Sequence, residues 1–176
     1  MPSQYFTKFP KIGYDIDNTG TNVRIVTDII HKAKFLDIVR QNDIIFYPYD
    51  VKEGETPEII AAKLYDSAQY HWVVLLANDI KNLWTEWPLS YDQLVAFFVA
   101  NYGSVASAQT TVDHYEASNG DYIDLDTYNA TYSQGSIIVY ADQYWIAQND
   151  AKKIIRLIDP QYISLIENEL DNLLIT

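Results

Sequence analysis

Large apolar residues recur along the chain in short stretches whose period changes several times, and each change marks an expected boundary. Residues 1–26 carry Tyr5, Phe6, Phe9, Ile12, Tyr14 and Ile16 between Pro2, Pro10, Gly13 and Gly20, with no sustained period, so an extended arm is expected. Such side chains gain little by facing water and are expected to lie against the body or a neighbouring chain. Thr27 and Asp28 then offer a cap and a favourable charge for a short helix over 28–39, with Ile29, Ile30, Ala33 and Leu36 or Val39 along one face.

The run Ile44-Ile45-Phe46-Tyr47-Pro48-Tyr49-Asp50-Val51 reads as a strand, and Pro48, which lacks a donor, places it at a sheet edge or breaks it there. A turn at Lys52-Glu53-Gly54-Glu55 leads to Thr56-Pro57, a capping hydroxyl followed by proline at the first helical position. The helix it opens should turn Ile59, Ile60, Leu64 and Tyr65 inward and end near Asp66-Ser67. His71-Trp72-Val73-Val74-Leu75-Leu76-Ala77 is apolar almost all round; Leu and Ala dominate its end, which favours a buried second helix over a buried strand. Ser90-Tyr91-Asp92-Gln93 forms a capping box for a helix reaching about Tyr102, and Gly103 is placed to close it.

Residues 104–135 are polar and dotted with Ser, Thr, Asn and Gly; Tyr122 to Asp126 and Ser136 to Tyr140 are strand candidates, the second able to run into a helix instead. A β-hairpin or a long excursion is expected there. From Asp142 the pattern reads as helical through Ile154, Ile155, Leu157 and Ile158, and Asp159-Pro160 restarts or kinks it. Ile163, Ile166, Leu170 and Leu173 then follow at steps of three, four and three, with Glu167, Glu169 and Asp171 outside the seam. One helix with so narrow a seam is marginal alone, so the tail either folds back on its own domain or, the reading favoured here, docks on a partner helix.

Four segments result: an N-terminal arm and short helix over 1–43, a strand-and-helix module with its following helix over 44–103, an irregular or hairpin insertion over 104–141, and a C-terminal helical segment over 142–176. The fold class expected is α+β. At 176 residues the chain can bury a core without metal or disulfides.

The absence of cysteine removes thiolate nucleophiles, disulfides and Cys-ligated metal sites. A formal net charge of −12 repels phosphate backbones and anionic lipid surfaces, so neither nucleic acid nor membrane is an expected partner. No apolar run approaches the ~20 residues of a membrane-spanning helix. The start lacks the basic end and apolar stretch of a secretory signal, and a soluble protein made in the cytoplasm is expected. Fifteen Tyr, six Phe and four Trp either fill a modest core or serve contact surfaces, a choice composition leaves open.

His31, His71 and His114 show no metal-ligand spacing. Asp121, Asp124 and Asp126 follow Gly120 without the central glycine and closing Glu of a calcium loop, and no nucleophile elbow or phosphate loop occurs. No catalysis and no cofactor are expected. Apolar groups in the arm and the tail seek partners instead, which nominates Tyr5, Phe6, Phe9, Tyr14, Trp84, Trp87, Trp145, Tyr162, Ile163, Ile166, Leu170 and Leu173 as protein contacts.

Tyr49 to Tyr65, with Leu75, Leu76, Asn78 and Ile80, resembles a LysM module, a small βααβ fold whose closing strand would begin near Pro88-Leu89. Many LysM modules bind N-acetylglucosamine polymers such as peptidoglycan. Here Asn82-Leu83 stands in place of the usual Asn-Pro and the closing Gly-Gln-x-Leu is absent, so glycan binding is the secondary expectation. The wider series is similar to a baseplate wedge subunit of contractile-tailed bacteriophages: Tyr70 to Ile80, Trp87-Pro88-Leu89-Ser90, His114-Tyr115-Glu116 and Asn149 to Ile158 with Asp159-Pro160-Gln161-Tyr162. That resemblance implies a structural virion protein, made in the host cytoplasm, whose LysM-like domain contacts other wedge and hub proteins in a sixfold baseplate.

Overall fold

A computed structural model describes residues 5–29 and 45–174, and the side chains of Tyr5, Leu173 and Leu174 lie outside the description. The strands are β1 (Lys11–Asp15), β2 (Val23–Thr27), β3 (Phe46–Asp50), β4 (Val112–Glu116), β5 (Tyr122–Ile123), β6 (Ile137–Tyr140) and β7 (Ile154–Ile158). The helices are α1 (Pro57–Tyr65), α2 (His71–Ala77), α3 (Leu83–Glu86), α4 (Tyr91–Tyr102), α5 (Val105–Ala108), α6 (Leu125–Thr131), α7 (Ala141–Ala151) and α8 (Ile163–Leu174). The class is α+β, with small antiparallel sheets among helices. The helix expected over 28–39 lies outside the described residues save Asp28 and Ile29, which belong to no element.

The chain divides into two compact units. The first holds the described residues up to Asp50, Glu55–Glu86 and the chain from Ile155 onward. Its arm is more regular than the sequence suggests, because β1 and β2 form an antiparallel hairpin with Ile12 opposite Val26 and Tyr14 opposite Arg24. Val23-Arg24-Ile25-Val26-Thr27 is rich in β-branched residues, which suit a pleated ribbon. The amide of Asp28 donates to the carbonyl of Pro10 at 2.8 Å and extends the ladder by one rung.

Helix α1 begins as Thr56-Pro57 dictates: the Thr56 hydroxyl accepts from the Ile59 amide at 3.4 Å. It stops where Asp66 turns left-handed at φ 57°. Pro57, Ile60, Ala61 and Tyr65 form its buried stripe. Ile59, expected inside, is exposed, since one residue of helix rotates about 100° and carries it off the 57/60/61/65 face. Helix α2 is the buried second helix, with Trp72, Val73, Val74 and Ala77 inside.

Residues 154–158, expected to be helical, are a strand instead. Ile155 and Leu157 are buried on one face while the other goes from exposed at Ile154 to fully buried at Ile158, and β-branched isoleucines supply three of its five residues. Strand β7 is the partner of β3, running antiparallel to it, with the Asp159 amide donating to the Ile45 carbonyl at 2.9 Å. Two side chains seal the edge of β7 that faces away from β3. The Tyr65 hydroxyl donates to the Ile158 carbonyl at 3.0 Å and accepts from its amide at 3.2 Å, and burial pushes its pKa well up. Asn78 acts as a one-residue strand, donating to the Arg156 carbonyl and accepting from its amide, both at 2.8 Å. The Arg156 guanidinium stacks 4.4 Å over the Phe46 ring.

The Asp159-Pro160 device works as expected: Asp159 accepts from the Gln161 amide at 3.0 Å and a single 3-10 turn, Pro160–Tyr162, launches α8. Ile163 and Leu170 are buried, and Lys8 reaches Asp171 at 2.8 Å and Glu167 at 3.4 Å. Within this unit the tail therefore packs against the molecule itself.

The second unit comprises Val51–Gly54 and Trp87–Ile154. Helix α4 carries the full capping box, with the Ser90 hydroxyl accepting from Gln93 and the Gln93 side chain from the Ser90 amide, and Gly103 closes it at φ 80°. Beyond it the polar region is better ordered than its composition suggests: β5, β4 and β6 form a three-stranded antiparallel sheet in that order. The strand expected at Tyr122 to Asp126 ends at Ile123, because the Asp124 carboxylate caps α6 by accepting from Thr127 at 2.7 Å. Pro88-Leu89, where the LysM resemblance places a closing strand, carries none. Both backbone groups of Leu89 are taken by the buried Asn149 amide, which accepts from the Leu89 N–H at 2.7 Å and donates to its carbonyl at 3.0 Å.

Candidate functional site

Catalysis or metal binding would need a cluster of polar side chains. Among the described residues no group of three His, Cys, Asp or Glu side chains could hold a metal ion. The Tyr49 hydroxyl donates to both oxygens of the buried Glu55 at 2.9 and 3.1 Å, and Glu55 also pairs with Lys63. Burial and then the Glu55 hydrogen bond push the Tyr49 pKa up to about 12, so this phenol keeps its proton and ties the turn to β3.

His114 on β4 is the most confined imidazole described. Its Nδ1 lies 2.7 Å from Asp113 and its Nε2 2.9 Å from Glu116, with Tyr122 stacked at 4.1 Å and Tyr144 edge-on at 5.6 Å. Burial pulls its pKa down, but the hydrogen bonds and charges of Glu116 and Asp113 outweigh it and the net shift is upward from 6.5. The stabilisation from this raised pKa is present in full below pH 6.5 and is lost as pH rises through the higher native value. An NMR titration of the His114 ring should give a native midpoint above 6.5 that returns toward 6.5 in Asp113→Asn/Glu116→Gln.

The apolar surface is more telling than the polar one. On the β1–β2 hairpin Ile25 is 80% exposed and Tyr14 and Val23 are each 56% exposed. Ile12, Tyr14 and Val26 share one face with Arg24, while Val23 and Ile25 flank Gly13 on the other beside Lys11, Asp15 and Thr27, so each side carries a cluster of apolar groups. A two-stranded ribbon gains little stability by itself in water, and one with exposed apolar groups on both faces gains by being covered.

Trp84 is 87% exposed on the single-turn helix α3. Its loop is nonetheless well tied: Asn82 accepts from the Trp84 amide at 3.0 Å and Glu86 from the Lys81 amide at 2.7 Å. The indole is thus presented on a fixed base, the form taken by anchor residues in interfaces.

The remaining nominated residues lie in different settings. Phe6 is exposed and packs its ring 5.7 Å from the buried Phe9. Trp87, Ile163 and Leu170 are buried, Tyr162 and Ile166 half-buried, and the side chains of Tyr5 and Leu173 lie outside the described residues. Trp145 is held within the second unit by Phe97 at 4.9 Å and by donating to the Tyr102 hydroxyl at 2.9 Å. Ile12 and Tyr14 stood out in the sequence, whereas Val23 and Ile25 were missed; the β-branched run after Gly20-Thr21-Asn22 was the available signal.

The second unit also carries a cleft of about 340 Å³ that sequence reasoning did not find. Its apolar lining comes from Leu94, Val95, Phe98, Val105 and Ile146, and Glu53, Asp142, Asp150 and Lys153 also border it.

No helix among the described residues is long and apolar enough to cross a membrane. No curated relative matches the chain. A family model described as base plate wedge protein 53 matches residues 4–132, well over half of the sequence and spanning the hairpin, α1, α2 and α4. By that match the chain belongs to the base plate wedge protein 53 family and has a structural role in the base plate wedge.

Proposed function

We propose that the protein joins neighbouring wedge and hub components of a phage tail base plate, in several copies arranged with the sixfold order of that assembly, and resides in the virion. The observation that carries this reading is the β1–β2 hairpin, which exposes apolar side chains on both faces, Ile25 at 80% among them. Trp84 and Phe6 supply further exposed contacts, while Phe9, Ile163 and Leu170 serve the molecule's own packing.

The order β3, α1, α2, β7 supports a LysM-like βααβ module whose last strand arrives after a long insertion. Such a module would act here as a protein contact. Binding of N-acetylglucosamine polymers is the weaker reading, because Glu55 and Asn78, in the turns where a sugar would sit, are engaged with Tyr49, Lys63 and Arg156.

Ile25→Thr combined with Val23→Lys tests the proposal, since Thr keeps a β-branched side chain and Lys lies opposite Asp15, so the apolar surface is lost without a like-charge pair in the ribbon. Both residues are exposed, so stability should change by no more than about 0.5 kcal/mol per site while incorporation of the protein into base plates falls at least about tenfold. Base plates assembled in complementation and quantified by mass spectrometry give the readout. Wild-type incorporation of the double variant would overturn the role given to the hairpin.

A further inference from the structure

We infer that the cleft between α4, α5 and α7 receives a large apolar side chain flanked by lysine or arginine, presented by another protein of the assembly. The inference rests on the structural role proposed above and names the chemistry of one partner segment. The volume and lining of the cleft, the charge at its border and the construction of its walls carry it.

At about 340 Å³ the cleft has room for an aromatic or long branched side chain. Its lining is apolar where α4 contributes Leu94, Val95 and Phe98 and α7 contributes Ile146. Phe98 is buried at the base, while Ile146 stands exposed at the side, so a guest would cover surface that water now wets.

The border is acidic. Glu53, Asp142 and Asp150 stand against a single cation, Lys153, and that cation is already paired with Asp150 at 2.7 Å. Glu53 accepts from the Tyr91 amide at 2.7 Å and has no cationic partner among the described residues; nor has Asp142. An anionic guest is repelled there, and a neutral one leaves Glu53 and Asp142 uncompensated. A guest carrying Lys or Arg beside its apolar side chain satisfies both the lining and the border.

The walls are fixed in advance. The capping box holds the start of α4, and the Asn149 amide clamps Leu89 beside the cleft. A preformed site loses little ordering entropy when it is filled.

The test uses the full-length ¹⁵N-labelled protein and two capped tripeptides, Lys-Trp-Lys and Glu-Trp-Glu, followed by NMR. The cationic peptide should move the amide signals of Leu94, Val95, Phe98 and Ile146 and saturate at millimolar concentration, as one side chain in one cleft affords. The acidic peptide should bind at least about tenfold more weakly. Glu53→Gln/Asp142→Asn should weaken the cationic peptide about two- to fivefold per charge removed. Ile146→Glu, at an exposed position that spares the fold, should abolish the tryptophan contact. Equal response to both peptides, shifts elsewhere on the molecule, or silence up to about 10 mM would overturn the inference. Silence here together with failed incorporation of the hairpin variant would remove the cleft's role and leave the base plate role standing.

Discussion

Leu157→Ala is expected to lower the unfolding free energy by about 3–4 kcal/mol. Leu157 is fully buried on β7, in the first unit's core with Ile60, Val73, Val74 and Ile158. Truncation removes the transfer free energy of three carbons and leaves a cavity lined by groups that have little freedom to collapse. Strand β7 is held on one side by β3 and through its backbone by Tyr65 and Asn78, so it cannot shift to close the gap. Ile154→Ala on the same strand is the control, because Ile154 is exposed and its loss should cost about 0.5 kcal/mol or less. Urea unfolding followed by circular dichroism measures both. A cost for Leu157→Ala similar to that of the control would mean that β7 is not a core strand.

The second large effect is expected at Asn149. This buried amide occupies both backbone groups of Leu89, so Asn149→Ala leaves the half-buried N–H and carbonyl of Leu89 without their partner, at about 1–2 kcal/mol each. A total of about 2–4 kcal/mol is expected in urea unfolding of the second unit. Asn149→Asp discriminates between shape and hydrogen bonding. A carboxylate still accepts from the Leu89 amide with one oxygen but sets the other against the Leu89 carbonyl, so Asp should be as damaging as Ala at neutral pH and milder in acid, where it regains a donor.

Much of the fold was legible wherever a local rule decides. Thr56-Pro57, Ser90 to Gln93 and Asp159-Pro160 act within four residues of chain, and each starts its helix or turn where the sequence places it. The buried helix at His71–Ala77 was legible because a run so uniformly apolar has to be inside. What escaped was pairing. Nothing local in Ile154–Ile158 says that its partner is Phe46–Asp50, and Asn149 and Leu89 meet only once α7 is in place. The arm escaped for a related reason: β1 contains Gly13 and Lys11 and looks irregular until β2 is laid beside it. The exposed hairpin and Trp84 follow from large apolar groups in segments too short to bury them, whereas the cleft, gathered from α4, α5 and α7 and the turn at Glu53, has no signature in the linear sequence.

The pairing of β3 with β7 also fixes a sequence of events at the ribosome. All of residues 51–153 must be translated before β3 meets its partner, a delay on the order of 5–20 s at ordinary elongation rates. Throughout that interval a nascent Phe46-Tyr47-Pro48-Tyr49 segment is an unclaimed template on which another polypeptide could build. Pro48 guards it, since a residue without an N–H interrupts any foreign ladder while its rung is dispensable in the finished two-stranded pair.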